Sequence, residues 1–244
     1  MFTLLCVIIV TTDPVTQSAE ELLVLANQAY ELGDYVKAAS LYDGIIRDSG
    51  GTGYIYYNLG NASLRAGKLG QAVAAYMQAQ GLRPRDQDIA ANLSFARQSI
   101  KDAVPPPEAS ALLRALFFWH FVLSRDELGV LGVLTNVLFW LCLFFRRIFW
   151  RETLGWGAVV ALLTTLALGG SYATRTVWPT RRAVISIHEA NVYAGTSEDG
   201  LVRFKLLEGT ETRLIDTQDA WLRIALSDGN QGWLKAEVTR LVVY

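Results

Sequence analysis

Two histidines and two cysteines are the side chains of this chain best suited to nucleophilic or metal chemistry, and their positions do not define a site. His120 lies in an aromatic run, His188 lies in a β-like run, and Cys6 and Cys142 each lie in an apolar run. A Ser–His–Asp arrangement would need His188 at a strand end beside a nucleophile for which the sequence has no motif. The chain also lacks a phosphate loop, a dinucleotide fingerprint, HExxH and CxxC. We therefore predict no catalytic, cofactor-binding or metal-binding residues, and a protein that is not an enzyme.

Composition favours a membrane protein and argues against a nucleic-acid partner. The formal net charge is −1 over 244 residues, so no basic field is available to attract phosphates. The mean hydropathy of +0.25 is high for a soluble protein.

A 34-residue period organises the N-terminal half. Eight positions between Leu22 and Ile45 recur 34 residues later, and they alternate small residues with leucine, isoleucine or tyrosine. The first set is Leu22, Leu25, Ala26, Gly33, Tyr35, Ala38, Tyr42 and Ile45, and the second is Tyr56, Leu59, Gly60, Gly67, Leu69, Ala72, Tyr76 and Ala79. This pattern resembles the tetratricopeptide repeat, an α-helical solenoid of paired antiparallel helices. Residues 20–103 are expected to hold two such repeats and a capping helix, Asp88–Asp102.

In tetratricopeptide repeats the first helix of each unit lines a concave groove that binds proteins. The resemblance implies a groove formed by Leu23, Asn27, Tyr30, Tyr54, Tyr57, Asn58, Asn61, Leu64 and Arg65. Asn27 and Asn58 match the asparagines of the carboxylate-clamp type. Leu23, Ala91 and Phe95 stand at or near the positions of its cations, so the ion-pairing contribution is missing. Part of the tyrosine set has an alternative role in packing between repeats.

Two charge-free runs, Leu128–Phe145 and Leu154–Ala173, predict a transmembrane α-hairpin within residues 124–175. Each run has the ~20 residues that a helix needs to cross the hydrocarbon core. Ser124-Arg125-Asp126-Glu127 is a capping-box pattern at the start of the first span. The alternative is a buried hairpin of a soluble domain. The link Arg146–Glu152 carries three arginines, which favours the cytoplasmic side for it.

The segments that flank the repeats predict contacts with the membrane. Residues 1–19 contain the apolar run Phe2–Val10, which fits either a signal peptide without its basic region or an apolar tail. Residues 104–123 begin with the stiff linker Val104–Glu108. They continue with Leu112–Leu123, an aromatic-rich segment too short to span a bilayer and expected to lie at its surface as a helix.

Residues 183–244 change to short β runs separated by turn signals, which predicts a small β-barrel of five or six strands. The order Glu208-Gly209-Thr210, Ala220–Ile224 and Gly232-Trp233-Leu234 resembles the bacterial SH3 family. Tyr193 and Trp233 are candidates for a ligand-binding surface. We expect a core or half-core role for Trp221, which alternates with Leu222 and Ile224.

The complete order of segments resembles the BatE-type proteins of bacterial aerotolerance operons. That resemblance implies an inner-membrane scaffold with two transmembrane helices and both folded domains in the periplasm. It also implies work beside von Willebrand factor A-domain membrane proteins and a MoxR-type ATPase in aerotolerance or oxidative stress. We therefore expect a membrane-anchored adaptor whose partners are proteins and membrane lipid. Two alternatives are a peptidoglycan-binding protein that acts through the SH3-like domain, and an enzyme accessory or lytic factor.

Overall fold

The computed structural model describes residues 14–100 and 110–243, which combine helices with one antiparallel sheet. The apolar run Phe2–Val10 and the linker Val104–Glu108 lie outside the described residues. The described helices are α1 Pro14–Glu31, α2 Tyr35–Ser49, α3 Gly53–Arg65, α4 Leu69–Leu82, α5 Gln87–Gln98, α6 Ala111–Leu116, α7 Phe118–Val122, α8 Arg125–Phe149 and α9 Glu152–Val177. The described strands are β1 Arg181–Ile185, β2 Glu189–Tyr193, β3 Val202–Leu207, β4 Glu211–Gln218, β5 Trp221–Ala225, β6 Gln231–Lys235 and β7 Thr239–Val243.

The first four helices form two antiparallel pairs, α1 with α2 and α3 with α4. Gly33 and Gly67 lie at the two reversals, as predicted, with φ of 81° and 74°. Only a residue without a Cβ adopts this backbone conformation at little cost. Within the described residues, helix α1 extends from Pro14, six residues before the predicted start at Glu20.

Small residues let the helices of each pair come close, and buried tyrosines fill the remaining space. Ala26 and Ala38 are fully buried in the first pair, and Tyr42 packs beside them. In the second pair, a Cβ added to Gly60 would lie 2.5 Å from Cε1 of Tyr76. Tyr76 is itself fully buried, so its ring has little room to move.

Helix α5 corresponds to the predicted capping helix Asp88–Asp102. Within the described residues it is shorter than expected and ends at Gln98. Asp86 caps it by accepting hydrogen bonds from the backbone N–H groups of Asp88 and Ile89. Leu93 and Ala96 are buried against α4, so α5 covers the apolar face of the second pair as predicted.

Helices α8 and α9 are long and apolar enough to cross a membrane. They extend the predicted spans at both ends, so the link between them shortens from Arg146–Glu152 to Trp150-Arg151. The capping box of Ser124 and Glu127 forms as predicted. The two helices pack through small residues of α9, including Ala158 and Ala161, and leave most of their large apolar side chains exposed.

The predicted interfacial helix Leu112–Leu123 is instead two short helices, α6 and α7, which meet at Phe117. Helix α7 packs against α9, where the indole Nε1 of Trp119 donates to Oγ of Ser171 at 3.0 Å. The guanidinium of Arg175 donates to the carbonyl oxygens of His120 and Leu123. A cation therefore satisfies backbone acceptors at the C-terminal end of α7.

The seven described strands form one antiparallel sheet in the order β3-β2-β6-β5-β4-β1-β7. The strand β7 was not predicted. The sheet is open, because the edge strands β3 and β7 do not pair, so the closed barrel stays a prediction. One face of the sheet is buried around Val192, Leu222, Ile224 and Leu234.

The sheet and the helix pairs share a core. Helix α4 packs against β1 and β7, and Val184 and Val242 join the buried cluster that contains Val73, Tyr76 and Met77. The helical and β segments therefore form one packed body, although the hairpin separates them in sequence.

Replacing Gly60 by alanine tests this packing, with Gly44 in α2 as the matched control. A Cβ at Gly60 would collide with the Tyr76 ring, whereas a Cβ at Gly44 meets nothing within 4 Å. We expect Gly60→Ala to lower the free energy of unfolding by about 1–3 kcal/mol through overpacking. We expect Gly44→Ala to raise it by about 0.5–1 kcal/mol through helix propensity. Denaturant unfolding of the full chain in detergent checks both values, and stabilisation by both variants would contradict the close contact at Gly60.

Candidate binding sites

The turn between β3 and β4 fastens the sheet to the helix pairs, and we call its residues Glu208–Glu211 the docking loop. The carboxylate of Glu208 accepts from the backbone N–H of Gly70 at 2.9 Å. Gly70 lies in the first turn of α4. Lys68 is the N-cap residue of this helix, and its side chain makes no capping hydrogen bond. A carboxylate from the sheet thus satisfies an orphan donor at the positive end of the helix dipole.

Glu211, at the other end of the docking loop, makes the most buried ion pair among the described residues. Its side chain is 3% exposed. It accepts from Nε and Nη2 of Arg97 at 2.6 and 3.1 Å and from Nη1 of Arg182 at 3.2 Å. The bidentate geometry with Arg97 fixes the orientation of α5 relative to β4. A buried carboxylate is tolerated because two guanidinium groups surround it.

Two further contacts lie along the edge of the sheet, and together with the contacts of the docking loop they form what we call the seam. The side-chain amide of Gln78 pairs with both the N–H and the C=O of Val243 at 3.1 Å. Asp43 of α2 faces Arg240 of β7 at 3.7 Å. Helix α4 therefore covers the edge of β7, where unpaired backbone groups would otherwise invite another strand.

The docked sheet covers α4 and leaves the opposite side of the helix pairs open. This side consists of the solvent-facing residues of α1, α3 and α5, and we call it the first-helix face. Tyr54 on α3 is 64% exposed and Phe95 on α5 is 60% exposed. Exposed aromatic side chains of this size are often found on binding surfaces.

A network of amides and tyrosines gives the first-helix face its floor. The hydroxyl of Tyr76 donates to Oδ1 of Asn61 at 2.7 Å, and Nδ2 of Asn92 donates to the same oxygen at 3.0 Å. Nδ2 of Asn92 also lies 3.3 Å from the hydroxyl of Tyr57. In the first pair, Tyr42 and Asn27 repeat the Tyr76–Asn61 bond at 2.7 Å.

Burial further disfavours ionisation of the two tyrosines in this network. Desolvation raises the pKa of the Tyr76 phenol well above its usual range, and the nearby Tyr57 raises it further. Desolvation likewise raises the pKa of Tyr42. A tyrosine is protonated at neutral pH even at its usual pKa of about 10, so both hydroxyls act as donors, Tyr76 to Asn61 and Tyr42 to Asn27.

The predicted groove residues take different positions on this face. Leu23, Tyr30, Tyr57, Asn58, Asn61 and Leu64 are partly buried, whereas Asn27, Tyr54 and Arg65 are exposed. Leu23, Tyr30, Tyr57 and Leu64 also pack against the buried clusters. The guanidinium of Arg65 lies over the Tyr35 ring, 5.8 Å from its centroid, and that of Arg83 lies over the Tyr54 ring at 3.8 Å. Of the predicted tyrosines, Tyr30 and Tyr57 thus contribute to packing, whereas Tyr54 is exposed.

Two residues of the face were missed from the sequence as groove residues. Asn92 connects α5 to α3 through Asn61 and Tyr57, and Phe95 extends the face with an exposed ring. They stand 34 residues after Asn58 and Asn61. The repeat period, carried one step further, would have placed both on this face.

The outer face of the sheet carries an aromatic cluster formed by Tyr193, Trp221 and Trp233. The rings of Tyr193 and Trp221 meet edge to face, with centroids 5.6 Å apart, and Tyr193 pairs with Trp233 across β2 and β6. All three side chains are partly buried. Trp221 lies on the face opposite Leu222 and Ile224, because strand side chains alternate, so it belongs to this cluster and not to the core.

A cleft of about 360 Å³ lies where α2, α3 and α4 meet β7. Asp43, Arg47 and Arg240 border it, and both arginines face the Asp43 carboxylate at 3.9 and 3.7 Å. Its charged groups thus face one another, and the cleft forms part of the seam.

The described residues contain no group of three or more His, Cys, Asp or Glu side chains that could hold a metal ion. His188 is exposed at the turn between β1 and β2, where its carbonyl oxygen accepts from the N–H of Glu208. His120 is partly buried on α7, and its pKa is lowered by desolvation and by the charge of Arg175. Neither histidine has a nucleophile or carboxylate hydrogen-bonded to its ring among the described contacts.

Comparison with protein-family models and with curated proteins gives no match for this chain.

Glu211→Gln tests whether the ion pair holds the sheet against the helix pairs. The change keeps the shape of the side chain but leaves Arg97 and Arg182 without their shared anion. Removing one partner of a buried ion pair costs about 3–5 kcal/mol, and we expect the lower end because Arg97 is 32% exposed. The matched control is Glu189→Gln, which removes the exposed pair with Lys205 and should change stability by less than about 1 kcal/mol. Denaturant unfolding of the full chain measures both values, and equal effects would show that burial of Glu211 does not matter.

Proposed function

We propose that this protein is a membrane-anchored, non-enzymatic adaptor of the bacterial envelope that binds protein partners through its first-helix face. The observation that carries the proposal is the division of the helix pairs into a covered side and an open side. The sheet covers α4, while Tyr54 and Phe95 remain more than half exposed on the other side.

The first-helix face is suited to binding a peptide or a helix. Its exposed aromatic rings supply apolar contact area at a small entropic cost, because each has only two rotatable side-chain bonds. Its floor holds amide groups in fixed positions through the Asn61–Asn92–Tyr57 network. A rigid floor lowers the ordering cost that a partner must overcome on binding.

The geometry is less favourable for a carboxylate clamp. Oδ1 of Asn27 already accepts from Tyr42, and Leu23 contributes no charge. Phe95 occupies the face near a position where the clamp type has a cation. We therefore favour recognition of an apolar or aromatic segment over recognition of a C-terminal carboxylate.

The finer assignments belong to the same proposal. The 34-residue helix–turn–helix period and the turn glycines support tetratricopeptide repeats, and the strand order with its EGT turn supports an SH3-like domain. We propose that the chain works as BatE-type proteins do, beside von Willebrand factor A-domain membrane proteins in aerotolerance. Tryptophans at both ends of the hairpin support membrane insertion, since Trp150 and Trp178 are 80% and 74% exposed and indoles favour the bilayer interface.

The second candidate function is cell-wall binding through the aromatic cluster of the sheet. The cluster favours it because Tyr193, Trp221 and Trp233 lie together on the outer face of the sheet. Sedimentation of the purified full chain with peptidoglycan separates the two functions. Loss of sedimentation in Trp233→Ala, with partner capture unchanged, would support the second one.

The double variant Tyr54→Ala/Phe95→Ala tests the first-helix face. Both side chains are exposed, so the fold should persist, whereas the partly buried Tyr57 would confound binding with stability. Buried aromatic anchors of interfaces contribute about 2 kcal/mol or more each, so capture should weaken ~1,000-fold if both rings are anchors and ~30-fold if one is. The assay is co-purification of a von Willebrand factor A-domain membrane protein from mildly solubilised membranes, together with complementation of a deletion strain.

Leu32→Ala is the matched control, because Leu32 is 85% exposed at the turn after α1 and lies off the face. His188→Ala should also leave capture and complementation unchanged. Inactivity of His188→Ala, with wild-type behaviour of the double variant, would reject the adaptor in favour of a catalytic role.

Reporter fusions test the orientation in the membrane. Arg146, Arg147 and Arg151 cluster at the link of the hairpin and favour its cytoplasmic location. Alkaline phosphatase fused after Tyr244 should therefore be active, because both flanking domains would be periplasmic. Activity found only for fusions within Trp150-Arg151 would reverse the orientation.

A further inference from the structure

Asn136 places an unpaired amide near the middle of α8. It lies within the charge-free run Leu128–Phe145, eight residues after the first residue and nine before the last. At 1.5 Å per residue these separations are about 12 and 14 Å, which an asparagine side chain cannot bridge to reach headgroups. The side chain is exposed, and no hydrogen bond joins its amide to another group of the described chain.

The other polar side chains in the central part of the hairpin are satisfied within it. Thr165 donates to Thr135 at 2.9 Å, and Thr135 lies within hydrogen-bond distance of the carbonyl oxygens of Leu131 and Gly132. Thr164 donates to the carbonyl oxygen of Val160 at 2.9 Å. An amide has two N–H donors and an acceptor oxygen, and leaving all of them unpaired in hydrocarbon is unfavourable. Asn136 is therefore the exception that needs a partner from outside the described chain.

A second copy of this chain can supply that partner. Copies inserted in the same orientation place their Asn136 residues at the same depth. An amide is self-complementary, because the N–H of one copy can donate to the oxygen of the other across a twofold axis. Val133, Val137, Trp140 and Phe144 surround Asn136 at helical spacing and are at least 50% exposed, so they would pack around the paired amides.

We propose that α8 associates with α8 of a second copy within the bilayer, with the two Asn136 amides hydrogen-bonded to each other. The inference rests on the membrane-spanning part of the proposed function. A dimer places two first-helix faces on one side of the membrane, and two linked sites raise the effective concentration for a second contact.

The experiment uses the full chain, fused after Tyr244 to donor or acceptor fluorescent proteins. The fusions are reconstituted into phosphatidylethanolamine–phosphatidylglycerol vesicles, and energy transfer is measured as a function of the protein-to-lipid ratio. We expect Asn136→Leu to weaken self-association by about 3- to 30-fold, the range that corresponds to interhelical hydrogen bonds in membranes. Asn136→Gln should retain association, because glutamine offers the same amide. Thr164→Val should also retain it, since Thr164 is exposed to lipid on α9 but satisfied by its own helix.

Flotation and alkaline carbonate extraction of the same vesicles test membrane insertion separately from self-association. A chain that is extracted by carbonate would contradict the membrane span itself. An integral chain with no energy transfer, or with equal transfer in wild type and Asn136→Leu, would overturn the dimer alone. Crosslinking from position 136 to a different membrane protein, without crosslinking between copies, would also overturn it and assign the amide to that partner.

Discussion

Burial of α4 against β1 and β7 is the contact on which the arrangement of the binding surfaces depends. The helix contributes Val73, Tyr76 and Met77 to a cluster completed by Val184 and Val242. The apolar contact has no direction of its own, so polar groups must set its orientation. Glu208 caps the helix and Glu211 joins Arg97 to Arg182. The polar contacts of the docking loop thus fix the orientation of α4 and α5 relative to the sheet.

Tyr76 connects this seam to the open side of the helix pairs. Its ring fills the space beside Gly60, and its hydroxyl reaches Asn61. The same side chain therefore belongs to the docked core and supports the floor of the first-helix face. A structural change at the seam should therefore displace residues of the first-helix face through Tyr76, because a fully buried ring cannot shift without moving its neighbours.

In the membrane location that we propose for the hairpin, apolar contact contributes little to helix pairing and polar contacts contribute more. Helices in lipid gain no hydrophobic advantage from meeting one another. Small residues of α9 and the Thr165–Thr135 hydrogen bond account for the pairing of α8 with α9. The amide of Asn136 has no such partner within the described chain, and this contrast is the basis of the proposed contact between chains.

Local patterns were sufficient to predict the helix pairs, their turn glycines, the capping box at Ser124 and six of the seven described strands, because each depends on residues close in sequence. The tertiary structure alone decided the docking of the sheet. Glu211 and Arg97 are 114 residues apart, and in sequence each resembles an ordinary solvated charge. Strand β7 was missed for a related reason, since its partners are the distant β1 and α4. Long-range burial determines which charges pair and which aromatic rings remain exposed, and no local period records it.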